Sequence, residues 1–440
     1  MRPWIILGLI ILAFAIVELP GLTHLEPGDE WIYYAASKQL SQGILPYRDF
    51  FFAHPPMQLL FYLIPSWLEA TLLGYKLIPF LSTLWTGVLV FLLAKRFGQR
   101  AGLIGSLLFF TSQSVLLQAT YGVGVIEAMF LTMLGLYLLT RRKIFFGGIA
   151  LGFAALTRSY ALIPAVIILS LYYIKHRKEN AGWHAAAGFG ASYILPFIIL
   201  VAVNGASFID PVVRYHLLKP GGTSNSFSVL GNVLLNNAPL FIGALLAFLH
   251  QKRKRLLLFA VPAAAYILFL VMLNRIFSFY FVLAMPFLAI LAGASISGIV
   301  QRFRQAFFLL LVIIIALSAI PIHHLWSFDF VPWETRRIIS PIDGPVFGND
   351  DTATLISLQQ HVPLCRGIVD TNHMRYIAGL ASVEESLGVI GDASCPWLVL
   401  RPLQGFGSIP GVLSYAQEHC ILHDRADDKL HGTFLLFRCG

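Results

Sequence analysis

Long runs of apolar residues limit most strongly how this chain can fold. A helix needs about 20 apolar residues to cross a bilayer. The clear candidate runs are 4–22, 77–94, 101–118, 123–140, 183–203, 230–249, 256–273, 276–299 and 306–321. A further run, 144–174, is too long for one helix and is interrupted near Arg158, so we expect two short helices there. The sequence predicts a polytopic α-helical membrane protein with about eleven transmembrane helices.

Composition agrees with a membrane protein and argues against other classes. The chain is 57% hydrophobic and 12% charged, with a mean hydropathy of +0.75, whereas soluble domains contain about 25% charged residues. Arg2 and the apolar residues after it resemble a signal peptide, but Glu18-Leu19-Pro20 replaces a small-residue cleavage site, so we expect an uncleaved first helix. The net charge of +9 lies in short clusters between apolar runs, and no nucleic-acid binding is expected.

Five basic clusters predict the topology. They are Lys95/Arg96/Arg100, Arg141/Arg142/Lys143, Lys175/Arg177/Lys178, Lys252/Arg253/Lys254/Arg255 and Arg302/Arg304. The positive-inside rule places all five in the cytoplasm, which is consistent only if 55–73 does not cross. That segment contains Pro65, Trp67 and Glu69, and we expect a helix along the outer surface. The N-terminus is then cytoplasmic, and the loop 24–76 and everything after 321 are extracytoplasmic, in a multi-pass protein of the plasma membrane.

The last part of the chain differs in pattern from the rest. Residues 322–440 contain short β-like runs, "GPVFGND", "GIVDT", "PWLVLRP" and "GTFLLFRC", between polar helical stretches. They predict a small α/β extracytoplasmic domain after a transmembrane domain 1–321. No GxGxxG follows a strand and no Walker motif occurs, so we expect no nucleotide-binding domain.

All four cysteines lie in this C-terminal segment. Cys365, Cys395, Cys420 and Cys439 allow three pairings. An even number of cysteines in an extracytoplasmic segment predicts at least one disulfide. Four free thiols in a small core are the alternative.

Carboxylates cluster in the first outer loop. Asp29 and Glu30 follow the first apolar run directly. Helix capping by Asp29 is the structural interpretation, because Asp is a good N-cap. It accounts for one carboxylate and not for a pair at a membrane surface. The functional interpretation is a catalytic base with a second carboxylate that orients substrate or metal.

Further along, "LPYRDFFFAHPP" adds Arg48 and His54. Its prolines stiffen an irregular loop, and this is the structural interpretation. The functional interpretation is a loop that presents a cation to a phosphate. Two carboxylates and His54 could also hold a divalent metal, although the chemistry does not require one.

Ionisable residues at the outer ends of later spans are the remaining candidates. Glu127 lies inside a span, Arg158 lies where one short helix gives way to another, and Arg275 and Tyr280 begin a later span. Intramembrane charges are functional hypotheses, and Arg matches a phosphate because its fork binds two oxygens. Alternatively Glu127 pairs with a cation such as Arg158, and the arginines anchor the interface.

These stretches resemble the GT-C glycosyltransferases, in particular the protein O-mannosyltransferase and lipid A aminoarabinose transferase superfamily. The resemblance covers about residues 4–300. It lies in the acidic pair followed by "LPYRDFFFAHPP" and a surface helix, in "LTRSYALIPAV", and in "SFYFVLAMPFLAILAG". Arg158 replaces the lysine that is usual in the family, His54 takes the place of a lysine in the first loop, and Phe279 replaces an arginine.

The resemblance implies a GT-C-like fold and an enzyme. It implies transfer of a sugar, with inversion, from a polyprenyl- or dolichyl-phosphate donor to a protein, lipid or glycan acceptor on the outer side of the membrane. Asp29 would be the base, Glu30 and Glu127 acidic partners, and Arg158 would lie near the lipid phosphate with His54 or Arg275.

Two other classes remain open. A transporter or flippase of lipid-linked sugars would use the same charges as a translocation path, but such proteins tend to show inverted repeats and discontinuous helices at mid-membrane, and neither is found in this sequence. A non-catalytic membrane scaffold would leave the loop from Asp29 to His54 unexplained.

Overall fold

The computed structural model describes residues 2–23, 25, 27–218, 226–250, 253–273, 275–302, 316, 318–323, 325–326, 342–390, 392, 394–428 and 431–439. Two compact units divide the chain. The helical unit comprises Met1–Leu22, Lys76–Ile199 and Gly221–Ser327, and the mixed unit comprises Thr23–Tyr75, Leu200–Pro220 and Phe328–Gly440. The predicted domain boundary at 321 stays a prediction, since 327–341 lie outside the described residues.

Helices account for most of the apolar sequence. Along the chain the longer α-helices are Pro3–Val17, Leu72–Ala94, Gln99–Phe110, Val125–Thr140, Ile144–Thr157, Leu162–His176, Ala181–Phe189, Leu195–Asn204, Ser226–Asn236, Ala238–His250, Arg253–Val271 and Met285–Arg302. Short α-helices are Leu19–Thr23 and Gln113–Leu116. Tighter 3₁₀ turns cover Lys95–Phe97, Ser159–Ala161, Arg177–Glu179 and Ser278–Ala284, and a π-helical turn covers Gly190–Ile194.

Among the described residues, four helices are long and apolar enough to cross a membrane: Leu72–Phe97, Ser159–Glu179, Ala181–Asn204 and Ser278–Gln301. A bent pair of helices could add a fifth. The predicted eleven spans are not confirmed, because other apolar helices have only 10–17 residues: Pro3–Val17, Val125–Thr140, Ile144–Thr157 and Arg255–Val271. The predicted run 306–321 lies largely outside the described residues.

Two predicted spans were wrong as single helices. The run 101–118 stops at Phe110, because the hydroxyls of Thr111 and Ser112 bond to the carbonyls of Leu107 and Phe109 and compete with the helical pattern. The run 230–249 bends by 85° at Asn237.

The bend at Asn237 has a local cause. Its buried side chain accepts from the backbone N–H of Ser114 at 3.2 Å and donates to the carbonyl of Val233 at 2.9 Å. Pro239 follows and disfavours helical geometry at the residue before it. Side-chain bonding and proline therefore break a run that hydropathy alone reads as continuous.

The prediction of two helices within 144–174 is confirmed. The first ends at Thr157 and the second begins at Leu162. Arg158 lies between them with an extended backbone, φ −143° and ψ 122°.

Small residues allow the helices of the helical unit to pack closely. Met285–Arg302 packs against both Ala238–His250 and Gln99–Phe110. A Cβ at Gly293 would clash with the carbonyl oxygen of Ala101. Such close approach through small residues is typical of membrane helices.

Three of the basic clusters gather at one end of the helical unit. Arg96 donates to the carbonyl of Thr140 at 3.2 Å, beside the second cluster, and Arg142 forms an ion pair with Glu179, beside the third cluster, at 2.8 Å. The side chains of the fourth and fifth clusters lie mostly outside the described residues. These contacts place the three clusters together, and their cytoplasmic location stays a prediction.

The mixed unit combines short helices with one small sheet. Its α-helices are Asp29–Ser41, Met57–Phe61, Leu63–Trp67, Ala206–Ile209, Tyr215–Leu218, Asp350–Gln360, His373–Ile377, Val383–Ile390 and Val412–His419. A π-helical turn covers Asp210–Arg214, and 3₁₀ turns cover Cys365–Gly367 and Gly405–Ser408.

The expected surface helix within 55–73 is two helices of five residues each, Met57–Phe61 and Leu63–Trp67. They meet at Tyr62, whose ψ of 1° departs from helical geometry. Leu60, Ile64 and Trp67 are 47–63% exposed, as expected for a segment at an apolar surface.

Four strands form the sheet: β1 (Val346–Gly348), β2 (Trp397–Leu400), β3 (Cys420–Asp428) and β4 (Gly432–Cys439). Their order is β1-β2-β4-β3, with β1 and β2 parallel and the other pairs antiparallel. Strands are confirmed in three of the four predicted runs, whereas "GIVDT" contains no strand. The sequence analysis did not predict β3.

A disulfide joins Cys420 to Cys439, which face each other across β3 and β4. Cys365 and Cys395 are free and lie in the buried core behind the sheet. The prediction of at least one disulfide is confirmed.

Candidate active site

Asp29 begins the helix Asp29–Ser41 and is exposed. The N-cap position is Gly28, which has an extended backbone and makes no side-chain cap. Asp29 is therefore the first helical residue rather than the cap. Its carboxylate interacts favourably with the helix dipole and remains accessible to a substrate.

Glu30 has different surroundings. It is 3% exposed and accepts a hydrogen bond from the hydroxyl of Tyr34 at 3.3 Å. The ring of Tyr34 packs against Tyr62 and Tyr75. Successive helical residues point about 100° apart, so one carboxylate of the predicted pair is exposed and the other belongs to a buried aromatic cluster.

Two carboxylates of the C-terminal segment join Asp29. Asp350 begins a helix that packs against Asp29–Ser41, and it interacts electrostatically with Asp29 and Asp370. Burial and these negative neighbours raise the pKa of Asp350 well above its ordinary value. We call Asp29, Asp350 and Asp370 the carboxylate cluster.

Individual contacts hold the two buried members. Asp350 is 7% exposed, and one of its oxygens accepts from the N–H of Asp351 at 3.1 Å. Its other oxygen, Oδ2, is buried and has no hydrogen-bond partner among the described residues. Asp370 accepts from the N–H of Asn372 at 2.9 Å.

Tyr215 lies next to the carboxylate cluster. It is 2% exposed, and its ring contacts Phe51 edge-on at 5.6 Å. Burial and then the charges of Asp370 and Asp350 raise the pKa of Tyr215. Its hydroxyl therefore stays protonated and can donate a hydrogen bond.

His216, the residue after Tyr215, contacts the loop "LPYRDFFFAHPP". His216 Nε2 donates to the carbonyl oxygen of Ala53 at 2.7 Å, and its ring lies 5.0 Å from that of His54. His54 also packs against Tyr33 at 5.6 Å. The segment around Tyr215 and His216 thus fixes the position of His54.

Arg48 lies away from these groups. Its side chain is 63% exposed and forms a two-point ion pair with the adjacent Asp49 at 2.8–2.9 Å. The structure does not bring it to the carboxylate cluster.

In the helical unit, Arg158 is 3% exposed. Its Nε donates to the carbonyl of Val123, and its charge acts on the hydroxyl of Tyr266. Glu127 is fully buried in the first turn of Val125–Thr140, a few residues after Val123.

Tyr266, on which the charge of Arg158 acts, belongs to a group of tyrosines that contact one another. The hydroxyls of Tyr160 and Tyr280 lie 3.4 Å apart, and the hydroxyl of Tyr266 donates to the carbonyl of Tyr280 at 3.0 Å. Arg275 lies over the ring of Phe277, which contacts Tyr280 edge-on. We call Arg158, Tyr160, Tyr266 and Tyr280 the arginine–tyrosine cluster, which is rich in hydrogen-bond donors.

Sequence reasoning missed several of these residues. Asp350 and Asp370 were within the quoted runs "GPVFGND" and "GIVDT", where each carboxylate follows a short apolar stretch. That position was their only signal. Tyr160, Tyr215 and Tyr266 had none, since tyrosines are common in membrane proteins.

Within the described residues, no group of three or more His, Cys, Asp or Glu side chains could hold a metal ion.

Residues 52–236 match the profile of "Glycosyltransferase family 87". No curated protein matches the sequence.

Solved structures resemble the chain more extensively. ArnT from Cupriavidus metallidurans bound to undecaprenyl phosphate has a TM-score of 0.72 at 14% identity, over 98% of each chain. Its apo state gives 0.71 at 14% identity, over 98% of this chain and 97% of that one. Arabinofuranosyltransferase AftD from Mycobacteria gives 0.55 at 14% identity, over 100% of this chain and 40% of that one. The chain therefore shares the fold of these two ArnT structures over nearly its whole length.

Proposed function

We propose that this protein is an inverting membrane glycosyltransferase. It would take a sugar from a polyprenyl- or dolichyl-phosphate donor and transfer it to an acceptor on the outer side of the membrane. The observation that carries the proposal is Asp29, an exposed carboxylate at a helix start, in a chain with the GT-C fold. Support for the lipid donor comes from ArnT, which was solved with undecaprenyl phosphate.

Asp29 accepts the proton of an acceptor hydroxyl in this mechanism. The hydroxyl oxygen attacks the anomeric carbon of the donor sugar as its bond to the phosphate oxygen breaks. The phosphate leaves with the bonding electron pair and remains on the lipid. One displacement inverts the anomeric centre, and a base that is placed in this way contributes about 10²–10⁴ to the rate.

The arginine–tyrosine cluster binds the phosphate. A buried guanidinium and tyrosine hydroxyls match phosphate oxygens, and charge-assisted bonds in a water-poor setting stabilise the leaving group. Arg275 contributes positive charge beside Tyr280. Glu127 orients the cluster from the neighbouring helix, and Glu30 acts through the aromatic cluster that holds the helix of Asp29.

The outer location rests on two features. The three described basic clusters share one end of the helical unit, whereas Val123, the partner of Arg158, precedes the opposite end of Val125–Thr140. A disulfide in the C-terminal segment suits an oxidising compartment. Both favour an extracytoplasmic site in the plasma membrane.

The test uses the full-length protein in nanodiscs with radiolabelled polyprenyl-phosphate sugars. We expect release of lipid phosphate together with a labelled product, and no loss of activity with a metal chelator. A flippase would instead move intact lipid-linked sugar between the leaflets of liposomes. Translocation without cleavage of any donor would overturn the proposal.

A further inference from the structure

The carboxylate cluster contains a group that the fold does not use. Asp350 exposes only 7% of its surface, and its Oδ2 has no hydrogen-bond partner among the described residues. Its electrostatic partners Asp29 and Asp370 are also acidic. A buried polar atom without a partner costs stability, and nearby like charges add to that cost.

Two arginines of the same segment already have partners. Arg401 forms a buried ion pair with Asp351 and donates to the carbonyl of His431 at 2.9 Å. Arg375 donates to the backbone carbonyl of Asp370 and lies over the ring of Phe51 at 4.0 Å. A ligand that supplies a hydrogen-bond donor would satisfy the buried oxygen.

The charge of the cluster limits the kind of ligand. Carboxylates at Asp29 and Asp370 repel phosphate and carboxylate ligands. Burial favours the neutral form of Asp350, and a neutral carboxyl group donates and accepts one hydrogen bond each, as a sugar hydroxyl does. Tyr215 adds a phenol beside the same groups. Uncharged, hydroxyl-rich molecules match this arrangement.

We infer that Asp350 and Asp370 form an acceptor subsite for an uncharged carbohydrate, whose hydroxyls bond to them while another hydroxyl reaches Asp29. This inference rests on the proposed function and extends it. The C-terminal segment would then select the acceptor, and acceptors with a phosphate next to the reacting sugar would be rejected.

Binding to the full-length protein in nanodiscs, without donor, tests the inference. The probes are a panel of neutral methyl disaccharides, the same disaccharides with a 6-phosphate, and their 2-amino derivatives, measured by saturation-transfer NMR. We expect at least one neutral probe to bind more tightly than its charged counterparts. Preference for the phosphate or amino probes, or no binding by any neutral probe, would overturn the inference.

Two substitutions of Asp350 refine the test. Asp350→Leu should weaken binding of the preferred neutral probe about ten- to hundredfold, because a buried hydrogen bond is lost. Asp350→Asn should retain most of the binding, since the amide is neutral and keeps the acceptor for the Asp351 N–H. Equal losses in both variants would indicate that the carboxylate charge is required and would overturn the inference.

Controls separate folding from binding. The same two changes at the exposed Asp427 should leave binding unchanged. If Asp350→Leu does not fold, the wild-type ranking of the three probe types decides. Donor cleavage is measured separately, so that loss of the proposed function with intact carbohydrate binding, or the reverse, is recognised.

Discussion

Arg158 donates through Nε to the backbone carbonyl of Val123, 35 residues earlier in the chain. This bond fixes the plane of the guanidinium at the break between two helices. It places a buried cation near Tyr266, which in turn bonds to the carbonyl of Tyr280.

The first prediction concerns this cation. Arg158→Ala should weaken binding of polyprenyl phosphate and reduce turnover, each about ten- to hundredfold, because charge-assisted hydrogen bonds are lost. Lipid binding is measured by native mass spectrometry in detergent. Arg425→Ala, at an exposed position, is the control. Unchanged lipid affinity in Arg158→Ala would remove Arg158 from the phosphate site.

Asp29→Asn should reduce turnover about 10²- to 10⁴-fold if Asp29 is the general base. Asn preserves the shape of the side chain, and the N-cap at Gly28 is untouched. Expression, thermal stability and lipid binding should therefore stay near those of the wild type. Steady-state kinetics with radiolabelled donor provide the measurement, with Asp427→Asn as control. Near-normal turnover would contradict the mechanism.

The raised pKa of Asp350 predicts that the stability of the protein depends on pH. This pKa is raised in the folded protein from about 4 in the unfolded chain. Between these two values the folded state holds a proton that the unfolded state has released, so stability should fall as pH rises above about 4. At pH 7.5 the free energy of unfolding of Asp350→Asn should exceed that of the wild type by about 1–3 kcal/mol. The variant should therefore unfold at a higher temperature.

That difference should shrink as pH falls to about 4 and below, because the unfolded wild type then also takes up the proton. Calorimetric unfolding at a series of pH values gives the measurement. Asp427→Asn should not show the same pH dependence. A wild type that is more stable than Asp350→Asn at every pH would contradict the proposed surroundings of Asp350.

Replacing both Cys420 and Cys439 by Ser should lower stability by about 2–4 kcal/mol, because a covalent link is removed from the unfolded chain. Mass spectrometry of unreduced peptides should find these two residues linked and Cys365 and Cys395 as free thiols. Chemical reduction of the disulfide in the wild-type protein should lower its stability by as much as the double substitution does. A disulfide between Cys365 and Cys395, with Cys420 as a free thiol, would contradict this pairing.

The last prediction concerns topology. Leu73 is 43% exposed and Gln42 is exposed, whereas a Cβ at Gly74 would clash with Ala70. Cysteines at positions 42 and 73 should react with an impermeant reagent added outside intact cells. A cysteine at the exposed Lys143 should react only after permeabilisation. Labelling of position 73 only after permeabilisation would mean that 55–73 crosses the membrane.

Local patterns determined much of this protein. Apolar runs indicate membrane helices without knowledge of any contact, because hydropathy and length are properties of one segment. The break at Arg158 and the acidic start of the first loop were also visible, since both interrupt apolar sequence. The bend at Asn237 was not visible, because it depends on a hydrogen bond to the distant Ser114 and not on a local change in hydropathy.

Tertiary structure decided which residues meet. Asp350 and Asp370 are more than 300 residues from Asp29 in sequence. Long-range packing, such as that of helix Asp350–Gln360 on Asp29–Ser41, brings them together. Likewise, Glu30 follows Asp29 directly, yet the helical rotation of about 100° per residue buries one carboxylate and exposes the other. The sequence supplied the chemical groups, whereas long-range packing determined their neighbours, because no local pattern encodes contacts between distant segments.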